Sequence, residues 1–103
     1  MPRYRIIIHG RNFRLNLEGE WDKYGFYAPR FVDTADPVLA EHTALEDFRQ
    51  SAKYRKLLEE QLNADDDPPT ICREDIKQVS ADMGNGRPEA GLACYKESAG
   101  EEV

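Results

Sequence analysis

The architecture of this chain turns on Gly25-Phe26-Tyr27-Ala28-Pro29-Arg30-Phe31-Val32-Asp33. It is rich in aromatic and β-branched residues, which suit a pleated, half-buried surface. Three residues later Asp36-Pro37 opens a helix. An aspartate oxygen can cap the first free amides, and proline stands where no amide donor is needed. A strand that runs almost directly into a helix suggests a sheet covered by that helix. Pro29 cannot donate a ladder hydrogen bond, which points to an edge position or a bulge. Arg30 shares a face with Phe26, Ala28 and Val32. Either it lies at the core margin, or the opposite face, with Tyr27 and Phe31, is the buried one.

Working back from this strand, Tyr4, Ile6 and Ile8 share one face and Arg3, Arg5, Ile7 and His9 the other. The apolar phase then moves from even to odd positions at Phe13, Leu15 and Leu17. A regular strand cannot make that change without turning its core side chains to solvent, so Gly10-Arg11-Asn12 marks a tight turn or a bulge. The turn is the favoured reading, giving two strands before the connection Glu18–Lys23. Working forward, Ala40, Ala44, Leu45, Phe48 and Ala52 form one helical stripe with Phe48 as its anchor, and Leu39 falls on the polar side. Lys53 to Leu62 either continues this helix or restarts near Ser51. Asn63 to Pro69 ends helical structure. Ile71 to Ser80 and Leu92 to Tyr95 read as further strands, and Met83 to Pro88 as a loop between them.

The expected fold class is therefore α+β. It has an antiparallel sheet of about four strands, with β-β-β-α-β-β as a possible order, and one main helix packed on one face. Residues 1–97 form a single domain and 98–103 an acidic disordered tail.

Composition narrows the function. The chain has 103 residues and a net charge of −6, which fits one modest core. The charge is uneven: residues 1–35 carry a balance of +2 and residues 36–103 a balance of −8. An acidic second half disfavours long-range attraction to nucleic acid or to an anionic membrane. The longest apolar run, Ile6-Ile7-Ile8, is far short of a membrane span or a signal-peptide core, so a cytoplasmic location is expected. Cys72 and Cys94 lack the spacing of a disulfide framework or zinc site and read as reduced, half-buried thiols.

Gly10-Arg11-Asn12-Phe13, Gly25-Phe26-Tyr27, Arg30-Phe31-Val32 and the helix start Ala35-Asp36-Pro37 to Ala40-Glu41 together resemble a group of small bacterial proteins of unassigned function. The layout of strands, helix and strand is also similar to that of HicB-type antitoxin domains. That likeness implies a small protein partner. The Pro-Gly-Cys type turn and the following DNA-binding helix pair of those proteins are absent here.

Few side chains suggest chemistry. His9 and His42 are the only histidines, and neither stands in a nucleophile motif. His42 and Glu46 read as a surface pair. A pocket holding His9 or His42 against a carboxylate would point instead to a small enzyme. Asp65-Asp66-Asp67 lacks the glycine and distal glutamate of a calcium loop, and Gly84-Asn85-Gly86 lacks the lysine of a phosphate loop. No catalytic residue, cofactor or metal ligand is assigned. The expectation is a non-catalytic protein-interaction or self-associating module, the latter as a homodimer. It would work through the uncovered sheet face and through Trp21 in its connecting loop, with Arg5, His9, Tyr27, Arg30 and Leu39 as further contact candidates. The alternative is single-stranded nucleic acid on the N-terminal sheet face, with Arg3, Arg5, His9 and Arg30 on phosphates and Tyr27 or Phe31 stacked on bases.

Overall fold

The computed structural model describes residues 1–17, 19–80, 82 and 92–97. The described elements run β1 (Arg3–Leu17), β2 (Glu20–Asp33), α1 (Pro37–Arg49), α2 (Ala52–Glu60), β3 (Thr70–Val79) and β4 (Ala93–Lys96). The strands form one antiparallel sheet in the order β3-β1-β2-β4. The fold is α+β, with both helices packed against one face. The expected loop at 83–88 and the tail at 98–103 lie outside the described residues.

Two strands, not three, precede the helices. The phase change at Gly10-Arg11-Asn12 is a bulge inside one long strand: the β1–β2 register shifts between Gly10 and Phe13. Asn12 takes the extra residue, in the left-handed region at φ 63°, where asparagine is tolerated better than most side chains. The bulge returns the apolar set to the helix side. Ile6, Ile8, Phe13 and Leu15 are all buried in one cluster with Tyr24, Phe26 and Ala28 of β2. Gly10 stands opposite Phe26, whose ring fills the space a β-carbon would need.

The strand 25–33 buries its even face. Phe26 and Ala28 are in the core, and Arg30 lies with them, only 8% exposed, its guanidinium 5.4 Å from the centre of the Phe48 ring. Beneath α1 the cation is held against an aromatic face, a favourable arrangement once desolvated. Pro29 pairs opposite Ile7, whereas β4 pairs with β2 only over Tyr24–Tyr27. Proline therefore stands past the end of β4, where β2 has β1 as its described neighbour.

Asp36 caps α1 as its sequence indicates, its Oδ1 accepting from the Val38 amide at 2.9 Å. Ala40, Ala44 and Phe48 are the buried positions, so the small residues bring the helix close to the sheet. α2 is a separate helix. Ser51, in an extended conformation, donates its hydroxyl to the Phe48 carbonyl at 2.7 Å and accepts from the Tyr54 amide at 3.3 Å. That one residue both closes α1 and caps α2, and the break swings Tyr54 onto the Phe48 and Phe13 rings. Ala52, expected on the apolar stripe of the first helix, opens α2 instead and is exposed; Leu58 and Leu62, the apolar residues further along, are exposed as well.

Candidate functional site

The face of the sheet away from the helices carries the side chains with chemistry. The registers arrange it in rows. Val79, Arg3 and Asp33 form the first row, followed by Lys77, Arg5 and Phe31. Asp75, Ile7 and Pro29 come next, then Cys72, His9, Tyr27 and Ala93. Glu74 is the extra residue of a second irregularity, since the β1–β3 register shifts between Ile7 and Ile8. That shift turns its carboxylate toward His9.

His9 is the centre of this face yet is only 2% exposed. The Tyr27 ring stacks on it at 4.4 Å, with 16° between the planes, and Tyr95 packs against both. Both ring nitrogens are engaged: Nδ1 lies 3.1 Å from Glu74 Oε2 and Nε2 lies 2.5 Å from the Tyr95 hydroxyl. Burial, reinforced by the Tyr27 and Glu97 charges, holds the Tyr95 phenol above its ordinary range. The Glu74 carboxylate can only accept, so the contact at Nδ1 calls for an N–H there, which leaves Nε2 to accept from the Tyr95 hydroxyl. Arg11 Nε lies 3.4 Å from Nδ1, but with Nδ1 carrying its hydrogen two donors face each other there and no hydrogen bond forms. Tyr95 reaches this position because Gly25 lies beneath it. A β-carbon on Gly25 would come within 2.3 Å of the Tyr95 ring.

Carboxylate, imidazole and hydroxyl in series have the order of a nucleophilic triad. Here the hydroxyl is a phenol pushed away from ionisation, and His9 lines none of the described clefts. The expected sign of an enzyme, a histidine against a carboxylate in a pocket, is met only in its first half. What the arrangement does physically is tie β3, β1 and β4 together through side chains.

The remaining charges of this face are largely matched within the chain. Arg3 and Asp33 form a two-pronged pair, Nε to Oδ1 at 2.7 Å and Nη2 to Oδ2 at 3.0 Å. This pair raises the guanidinium's pKa and lowers the carboxyl's. Arg5 lies 3.7 Å from Asp75. Its Nε is buried with no hydrogen-bond partner among the described residues. Lys77 has no described ion-pair partner.

A cleft of about 480 Å³ opens beside the β1 bulge between Arg11, Lys23, Asp67 and Glu97. Its polar groups are also engaged: the Asn12 amide donates to Glu97 Oε1 at 2.9 Å and Asn12 Nδ2 to Asp67 Oδ1 at 2.7 Å. Among the described residues no group of three or more His, Cys, Asp or Glu could hold a metal ion. No helix among them is long and apolar enough to cross a membrane.

The structure thus brings together Arg5, His9 and Tyr27 of the expected contact residues. Tyr27 is 39% exposed. Trp21, 52% exposed, belongs to β2 rather than to a loop and stands opposite Asn16. Leu39 is 51% exposed, but on α1, away from this face. Arg30 is excluded from the open face by its place under α1. Cys72 and Cys94 are free and exposed rather than half-buried. Sequence reasoning missed Glu74 and Tyr95, which lie 65 and 86 positions from His9 and carry no local signal of the contact. The open valley at Gly25 was the one available hint. In comparisons with protein-family models, curated proteins and solved structures, nothing matches this chain.

Proposed function

We propose that this chain is a non-catalytic protein-binding module whose partner docks on the open face of the sheet. The observation that carries the reading is the composition of that face. Ile7, Pro29 and Phe31 are half-buried, Tyr27 is exposed, and of the cations around them Arg3 and Arg5 are paired within the chain, with Asp33 and Asp75. A partly apolar patch with a polar rim is the usual anatomy of a protein interface. Nucleic acid binding draws on free cations that release counterions from phosphate. Two of the arginines expected to provide it have carboxylate partners, a third is buried, and the chain carries a net −6.

Site-specific photocrosslinking in the native host tests the reading. A benzophenone side chain replaces Phe31 on the open face or, as control, Leu39 on the outer face of α1. The expected result is a protein adduct from position 31 and none from position 39. Equal adducts from both positions, or none from 31, would overturn the proposal. A nucleic-acid adduct from 31 would replace it with the alternative.

A further inference from the structure

Resting on the open face as a protein-docking surface, we propose that its occupant is a second copy of this chain, packed sheet to sheet about a two-fold axis that crosses the strands at the Asp75–Ile7–Pro29 row. The order of the rows fixes which side chains meet. Along β1, Arg5 and His9 lie two residues to either side of Ile7, so this axis sets the Lys77–Arg5–Phe31 row against the partner's Cys72–His9–Tyr27 row. Phe31 then meets the partner's Tyr27, an aromatic pair formed twice by symmetry. Lys77, which has no described ion-pair partner, meets the partner's Glu74, whose carboxylate is 46% exposed despite its contact with His9. Ile7 and Pro29 meet their own copies on the axis.

Asp75 also meets its own copy. It lies on the edge strand, however, with the Arg5 guanidinium 3.7 Å away. Each Asp75 brings that Arg5 guanidinium with it, so the two carboxylates meet beside two cations rather than alone.

Area sets the strength. From Arg3 to Arg11, β1 covers about 27 Å, and β3, β1 and β2 side by side cover about 14 Å, so each copy offers roughly 400 Å² of sheet, with β4 adding only beside Tyr27. A standard interface takes about 800 Å² per partner. The dimer therefore belongs to the weak, exchanging class, with a dissociation constant on the order of 10–100 μM.

Sedimentation velocity of the purified full chain from about 5 μM to about 1 mM tests this. The weight-average sedimentation coefficient should rise with concentration. Lys77→Glu should weaken association about tenfold or more, and the double variant Lys77→Glu/Glu74→Lys should restore it. If the double variant does not fold, Phe31→Lys serves, and it should leave a monomer. A wild-type chain that stays monomeric at the top concentration, or a dimer indifferent to Lys77→Glu and Phe31→Lys, overturns the proposal. The two readings fail separately. A monomer whose position 31 still crosslinks selectively to another protein removes the second copy but keeps the docking face.

Discussion

At the residue scale, two glycines do the same job with different stakes. Gly10 and Gly25 each sit under an aromatic ring, Phe26 on the core side and Tyr95 on the open side. Phe26 is fully buried in the central cluster, whereas Tyr95 is half-buried at the end of a short strand. Gly10→Ala must displace a packed core ring and should cost about 2–4 kcal/mol. Gly25→Ala has only to swing Tyr95 aside and should cost about 1–2 kcal/mol, much of it from the lost hydrogen bond to His9. Denaturant unfolding of both variants checks the ranking; equal losses would mean that Tyr95 is as firmly seated as Phe26. Arg30 makes the opposite point about side-chain type. Alternation alone put it on the face of Phe26 and Ala28, and the structure keeps it there because the Phe48 ring lies over the guanidinium. Of the two readings of this strand, Arg30 at the core margin holds, and burial of the Tyr27–Phe31 face does not.

At the element scale, local signals and long-range ones part company. Asp36-Pro37, the alanine stripe and the phase change at Gly10–Asn12 were all readable, because a cap, a 3.6-residue period and a 2-residue period are written in neighbouring residues. The change of phase is the same for a turn and for a bulge, and the outcome depends on β2 and on Asn63. The side chain of Asn63 bonds the Asn12 carbonyl at 2.6 Å and the Arg14 amide at 2.9 Å. Those partners are about fifty positions away, so the choice left no mark near residue 12. The helix break at Ser51 is different: the capping serine is a local mark, and a restart there was one of the two readings of that stretch. β4 is the element with the least backbone support. It is four residues long, pairs only with Tyr24–Tyr27, and is held mainly by side chains: Tyr95 to His9, Lys96 to Glu20, and Glu97 to Asn12. Amides of β4 should exchange with solvent well before those of β1 and the first half of β2, by roughly tenfold or more at neutral pH, and Tyr95→Phe should widen the gap. Hydrogen exchange read by NMR decides it; β4 protection equal to that of β1 would refute the ranking.

In the molecule taken whole, acid should loosen the fold first where the start of β1 meets the end of β2. Asp33 has its carboxyl lowered from the ordinary 3.8, chiefly by the hydrogen bonds from Arg3. A depressed carboxyl adds stability above its unfolded value, and that stability is lost as pH falls through the lower folded value. The contribution is thus present at neutral pH and fades below about pH 4. Asp33→Asn should be less stable than the parent at pH 7, with the difference closing toward pH 2; a difference constant across that range would show that the pair is not the cause. Asn63 has a further bearing on how the chain survives in a crowded solution. β3 begins at Thr70, paired to Arg11, so β1 beyond that point has no β3 beside it. Leu62 and Asn63 take its place, the Leu62 amide bonding the Arg14 carbonyl at 2.9 Å while the Asn63 amide group fills the neighbouring sites. One side chain thus imitates a strand that is not there. It occupies the rail on which a stray extended segment could otherwise begin a fibril.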